Sequence, residues 1–247
     1  MADEAPGPRG ERIAKFLSRA GVASRRDAEA MIAAGRVRLN GEALTHPAAF
    51  VRPGDAVLVD GAPVAAPERT RLFRYHKPEG LVTTHKDPEG RPTVFASLPP
   101  GLPRVVSVGR LDLTSEGLLL LTNDGGLARQ LELPQTGWMR RYRVRVHGGV
   151  PQAALTRLAE GMVVEGVRYG PVEAAIDSVQ RSNTWLSVSL REGKNREIRR
   201  LMQALGLPVT RLIRVAYGPF QLGHLPRGAV EEVPGKILRE QLPSPGK

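Results

Sequence analysis

The residues with the most chemical promise lie in GRLDLTSEGLLLLTNDGGLARQL, Gly109–Leu131, where a strand-like run enters a loop bearing Arg110 and Asp112 before a second apolar run. A carboxylate held between two buried elements can attack an electrophilic carbon or take a proton. Taken alone, its D-x-x-S spacing reads first as a loop cap, or as an ion pair between Asp112 and Arg110. Two other segments gather cations. RRYRVRVHG sets Tyr142 among arginines, and LREGKNREIRRLM gathers Arg191, Lys194, Arg196, Arg199 and Arg200. By itself Tyr142 passes as an ordinary strand residue. The chain has no cysteine, so disulfides, thiolate zinc sites and cysteine nucleophiles are excluded, and a reducing cytosol is compatible. His46, His76, His85, His147 and His224 show no metal-ligand spacing, so no metal site is expected.

These segments need a scaffold, and 247 residues with 41% apolar content suffice for one sizeable core and a smaller one. Residues 1–8 and 241–247 read as disordered tails. Pro63 and Pro67, among small residues between Asp60 and Leu72, read as a linker, placed at 66–71, which separates a module at 9–65 from a larger one at 72–240. In the first module Ile13, Phe16, Leu17 and Ala20 recur at helical spacing before Gly21, and Ser24 with Asp27 fits a capping box for a second helix that Gly35 closes. VRLNGEAL carries an Asn40-Gly41 hairpin signal, and Ala56–Asp60 alternates as a last strand. The second module alternates strand-like runs (LFRYHK, RVVSVG, LLLLT, RYRVRV, TWLSVSL) with helical segments at Gly126–Leu131, Pro151–Glu160 and Asn195–Leu205, an α+β pattern.

A formal charge of +11, from 36 basic and 25 acidic residues, points to a polyanionic partner, nucleic acid first. No apolar run of about 18 residues and no long basic amphipathic helix argues for a membrane, and the acidic opening MADE is unlike a signal peptide. Thirty of the basic residues are arginine, which suits forked phosphate contacts, although genome base composition produces the same bias. Residues 1–70 hold 10 basic and 9 acidic residues, so the excess is mostly C-terminal. The helical pair is nonetheless locally positive through Arg12, Lys15, Arg19, Arg25, Arg26, Arg36 and Arg38, an RNA-facing surface or a solvated helix face.

At this point the chain resembles the pseudouridine synthase family, in the branch that modifies ribosomal RNA and carries an N-terminal S4 domain. YHKPEGLVTT resembles the family's first motif, with His76 in place of the usual Asn. GRLDLTSEGLLLLTNDG matches the second nearly residue for residue, which puts the catalytic aspartate on Asp112. RRYRVRVHG resembles the strand that supplies the active-site tyrosine, Tyr142, and LREGKNREIRRLM resembles the third motif, whose arginine falls on Arg199. The form N-R-E-I-R-R is nearer to the large-subunit type B enzymes than to the H-Q form, and Arg12–Asp60 resembles an S4 domain.

The resemblance implies a small S4 module followed by a catalytic domain with a mixed, mainly antiparallel sheet flanked by helices and loops. It implies conversion of a uridine in ribosomal RNA, in 23S first and 16S as the alternative, by a cytoplasmic monomer that uses no cofactor. A non-catalytic S4 assembly factor is the competing class. Asp112 would attack C1' or remove the C2' proton, Arg199 would pair with that carboxylate and keep it ionised, and Tyr142 would stack on uracil. Arg110, Arg140, Lys194, Arg196 and Arg200 would meet phosphates around the pocket. Alternation along the strand puts Arg141, Arg143 and Arg145 on the face opposite Arg140 and Tyr142.

Overall fold

A computed structural model of the chain describes residues 10–133 and 137–241. The expected tails fall outside the described residues, except Gln241, which closes a helix.

Strand β1 (Glu11–Arg12) runs directly into helix α1 (Ile13–Arg19), and a turn at Gly21 leads to α2 (Arg25–Ala33). Ser24 caps α2 as its spacing predicts: the Asp27 amide donates to Ser24 Oγ at 3.2 Å, and that hydroxyl donates to Asp27 Oδ2 at 2.7 Å. Strands β2 (Val37–Leu39) and β3 (Glu42–Leu44) form the predicted hairpin, with Asn40 at φ 50° and Gly41 at φ 89° in the turn. Strands β4 (Phe50–Val51), β5 (Val57–Val59) and β6 (Ala62–Pro63) follow. Pairing runs β3-β2-β5-β6, with β1 on β4 as a separate pair that the sequence pattern did not announce. Ile13, Leu17, Ala28, Ile32 and Val37 are wholly buried in this small core.

The chain then reaches the second module already anchored. The Arg71 amide donates to Asn123 Oδ1 at 2.8 Å, Asn123 Nδ2 donates to the Arg69 carbonyl, and Thr70 Oγ1 donates to Asp124. Here β7 (Leu72–Lys77), β8 (Val106–Val108), β9 (Glu116–Thr122), α3 (Gly125–Glu132), β10 (Arg140–His147), α4 (Gln152–Glu160), β11 (Met162–Val164), β12 (Val167–Tyr169), β13 (Glu173–Gln180), β14 (Asn183–Leu190), α5 (Glu197–Ala204), β15 (Val209–Tyr217), β16 (Phe220–Gln221), β17 (Val230–Glu232) and α6 (Gly235–Gln241) succeed one another. The main sheet has the order β13-β14-β10-β15-β9-β7-β17, with β16 on β15 and β8 on β9. All its pairings are antiparallel except β15 with β9.

Strand β9 is buried along its whole length because both sheet faces are covered there, which is why its sequence reads as an unbroken apolar run. Leu118 and Leu120 meet α3 and α6 on one face, while Leu119 and Leu121 meet Val94, Val105 and Leu111 on the other. Helices α4 and α5 cover the remaining strands on that second face, through Leu158, Ile198, Leu201 and Met202 against Val144, Val146, Leu186 and Val188. Each such leucine contributes roughly 1.5–3 kcal/mol of burial.

The parallel seam between β9 and β15 has only two residue pairs, Ile213 with Glu116 and Arg214 with Gly117. Gly117 sits at φ +106°, and a Cβ there would overlap the Arg214 carbonyl. Gly117→Ala should therefore cost on the order of 3 kcal/mol of stability, checked by its urea unfolding midpoint; a variant within about 0.5 kcal/mol of the parent would contradict this strain.

Candidate active site

A pocket of about 650 Å³ opens between the Leu111–Ser115 loop, the start of β10 and the turn before α5. Asp112, Tyr142, Arg110, Arg140, Lys194 and Arg196 line it, joined by Lys86 and Arg214. The three motifs thus converge on one cavity although as many as 84 residues separate Asp112 from Arg196.

The loop bearing Asp112 is fixed through its backbone. Lys77 ends β7 fully buried, and its ammonium donates to the carbonyls of Pro78 (3.0 Å), Asp112 (3.1 Å) and Ser115 (2.8 Å). Thr83 Oγ1 donates to the Leu111 carbonyl at 2.7 Å, and the Gly80 amide donates to that of Leu113 at 2.8 Å. Arg199 Nη2 donates to the Thr114 carbonyl at 2.7 Å. Every carbonyl from Leu111 to Ser115 therefore has a donor, and all but one of these cross-loop donors come from YHKPEGLVTT. Burial pushes the Lys77 amine down to about 8, against the opposing pull of Asp112, Glu79 and Glu116.

This arrangement corrects the role expected for Arg199. Its guanidinium is turned to the backbone, with Nη1 donating to the Val209 carbonyl at 3.3 Å, and burial pushes its pKa down. Among the described residues the cation within ion-pairing range of the Asp112 carboxylate is Arg196, Nη1 to Oδ2 at 3.8 Å. Arg196 takes the left-handed conformation, φ 50°, as it caps α5, a conformation costly for arginine, and so projects differently from the helical residues after it. The pair is half-exposed, so it contributes direction more than stability. No Arg110–Asp112 ion pair forms among the described residues, and Arg110 stands exposed at the pocket wall.

Tyr142 is half-buried where two cores meet, and it faces the pocket with Arg140 as the alternation predicts. Arg140 Nη2 donates to Tyr217 Oη at 3.0 Å, and its guanidinium lies 4.8 Å over that ring. Directly across from Tyr142 on β15 is Arg214, which the sequence reading missed. Only 3% exposed, it donates through Nε to the Leu118 carbonyl at 2.7 Å and leaves Nη2 without a partner. Glu197, also buried at the pocket, accepts from the Lys194 amide at 2.9 Å, and burial pushes its carboxyl up. Neither residue stands apart in sequence from the neighbouring charges.

The remaining cations expected to meet RNA divide by partner. Lys194 is held by Glu192 and the Arg168 carbonyl, and Arg200 lies 4.0 Å from Glu165, outside the pocket lining. In the first module Lys15 and Arg19 share Glu11, Arg36 is bidentate on Asp60, Arg38 donates to the Gly41 carbonyl, and Arg12 lies over Phe50. Arg25 and Arg26 are exposed on the first turn of α2. No cluster of three potential metal ligands occurs among the described residues.

A family model described as RNA pseudouridylate synthase matches residues 71–204, and one described as S4 domain matches residues 11–57. The chain is 46% identical over 231 residues to an uncharacterized RNA pseudouridine synthase of Rickettsia prowazekii, covering 94% of this chain and 97% of that one. It is 43% identical over 239 residues to ribosomal large subunit pseudouridine synthase B of Haemophilus influenzae, covering 94% of this chain and 67% of the relative. A crystal structure of a pseudouridylate synthase superposes with a TM-score of 0.67 at 24% identity, over 94% of this chain and all of the other, a likeness of fold.

The clamp generates its own test. Lys77→Met leaves three carbonyls without their charged donor and should lower stability by about 3 kcal/mol. Exchange of the Ser115 amide, which donates to the Asp112 carbonyl at 3.0 Å, should quicken at least about tenfold relative to amides of β9. Unchanged protection at Ser115 would show that Lys77 does not hold the loop.

Proposed function

The chain belongs to the RNA pseudouridylate synthase family, and on that premise we propose that it isomerises a uridine of ribosomal RNA, in 23S RNA, with Asp112 as the reacting carboxylate. The observation that carries this reading is the placement of Asp112 in the same pocket as Tyr142, on a loop whose backbone is clamped. Preorganisation of this kind lets a carboxylate act without first reorganising its surroundings.

The reaction breaks the bond from C1' to N1, turns the freed uracil and rejoins it through C5, with no net redox change. A carboxylate serves the first step by attacking C1' as nucleophile or by removing the C2' proton. Arg196 directs that carboxylate, Arg199 fixes the loop under it, and Tyr142 offers its ring to the uracil face. A uridine within structured RNA must first be extruded, at roughly a few kcal/mol, and phosphate contacts supply that energy. Arg110 and Arg140 at the pocket, and Arg25 and Arg26 on α2, are placed to contribute them. We assign residues 9–65 to the S4 module, 66–71 to the linker and 72–240 to the catalytic domain, acting as a monomer in the cytoplasm on ribosomal RNA. Support for 23S comes from the likeness to ribosomal large subunit pseudouridine synthase B of Haemophilus influenzae and Pasteurella multocida and from the N-R-E-I-R-R form of the third motif.

Asp112→Asn keeps the shape and removes the charge. It should abolish pseudouridine formation while RNA affinity stays within about threefold, measured by carbodiimide mapping of rRNA and by filter binding. Normal turnover in the variant would refute the carboxylate's role. The same mapping in a strain lacking the protein identifies the uridine, and a site lost from 16S instead would move the substrate to the small subunit.

A further inference from the structure

Helices α3 and α6 cover one face of the main sheet over β7, β8, β9 and the Ile213 and Tyr217 part of β15. Over β14, β10 and the start of β15 neither helix covers that same face, and it is the face away from the pocket, since Tyr142, Leu190 and Leu212 point the other way. Its centre is Trp185, half-buried on β14. Three guanidinium carbons surround the indole: Arg143 at 4.7 Å, Arg145 at 5.8 Å and Arg211 at 5.9 Å from its centroid. Arg145 and Arg211 are direct cross-strand neighbours, a like-charge pairing that weakens a sheet. Glu116 answers Arg211, and also Arg227 at 2.6 Å. Among the described residues neither Arg143 nor Arg145 has a carboxylate within ion-pairing distance.

Clustered cations on an uncovered face cost stability in the free protein, and a polyanion relieves that cost. Stacking on the indole restrains the planar forks and leaves their N–H edges for acceptors, so less side-chain freedom is lost when they engage. Around them lie Ser187, which donates to Asp177 at 2.8 Å, and Thr210, which accepts from Arg145 Nε at 2.9 Å, while the apolar residue across from Arg143, Ile213, is already packed into the α3–α6 core and is not free to anchor a protein partner. We infer that this Trp185-centred arginine face is a second RNA-binding surface, which takes the phosphate backbone of a segment of the substrate RNA remote from the nucleotide held in the pocket. The inference rests on the reading that ribosomal RNA is the substrate and deepens it. The protein then grips folded RNA on both sides of its sheet, and a short hairpin that only fills the pocket does not reach the second side.

The full-length chain carrying Arg143→Glu and Arg145→Glu tests this by filter binding to an in-vitro 23S rRNA transcript and to a hairpin of about 20 nucleotides, across a salt series. The dissociation constant for the transcript should rise at least tenfold and the slope of log affinity against log salt should shrink by about 2, one unit per lost phosphate contact. Affinity for the hairpin should change less than threefold. Lys236→Glu with Arg239→Glu on α6, an equal change in net charge, should leave transcript binding within threefold. Should the glutamate pair fail to fold, Arg143→Gln with Arg145→Gln reads the same slope, and Trp185→Leu should weaken transcript binding several-fold with charge intact. Unchanged transcript affinity, or equal loss in the α6 control, would overturn the inference and leave the face to an acidic protein. A parent chain that shows these binding effects yet forms no pseudouridine would instead count against the isomerase reading alone.

Discussion

The buried ammonium of Lys77 is the interaction on which the site depends. Its three hydrogen bonds gather the start of one motif and both ends of the loop that carries Asp112. A cation is wholly withdrawn from water there because the carbonyl oxygens, each a partial negative charge, replace its hydration at fixed positions. The β7–β9 pairing brings Lys77 opposite Gly117, directly beyond the loop. The loop's geometry is therefore set by the sheet, and the carboxylate inherits that rigidity while its own oxygens stay available.

The same sheet distributes charge by parity. Alternation along β10 sends Tyr142 and Arg140 to the pocket and Arg143 and Arg145 to the opposite side. An irregularity between Arg141 and Tyr142 in the pairing with β15 sets Arg214 across from Tyr142 and Tyr217 across from Arg140. One strand thereby serves an apolar core, the pocket wall and a cationic exterior within eight residues.

The elements were largely legible because their local chemistry agrees with their environment. Ser24 with Asp27, Asn40-Gly41 and the leucine run of β9 each announce a cap, a turn and a strand buried on both faces. The cavity was legible through the motif resemblance, which brought Asp112, Tyr142 and the third motif to one place. What stayed hidden was long-range direction. Nothing near Lys77 says that its amine closes on a loop 35 residues away. Arg196 and Arg199 look alike in sequence, and only the left-handed backbone at Arg196 and the carbonyl of Thr114 decide which meets the carboxylate and which meets the backbone. Arg214 is one strand arginine among several until a buried pairing partner singles it out. The helix α6 and the β1–β4 pair lacked signals because each is short and fixed by tertiary packing.

The two-residue seam between β9 and β15 divides the sheet into a half that carries Asp112 and a half that carries Tyr142. The pocket straddles that division, and one side of the seam lies 97 residues from the other along the chain. Lys77 and its loop are synthesised well before Val209–Tyr217 exists to dock against them, although β17 of the same half follows that strand. During translation the cavity is therefore completed only when the far strand closes, after Arg199 on α5 has supplied the last of the donors to the Asp112 loop.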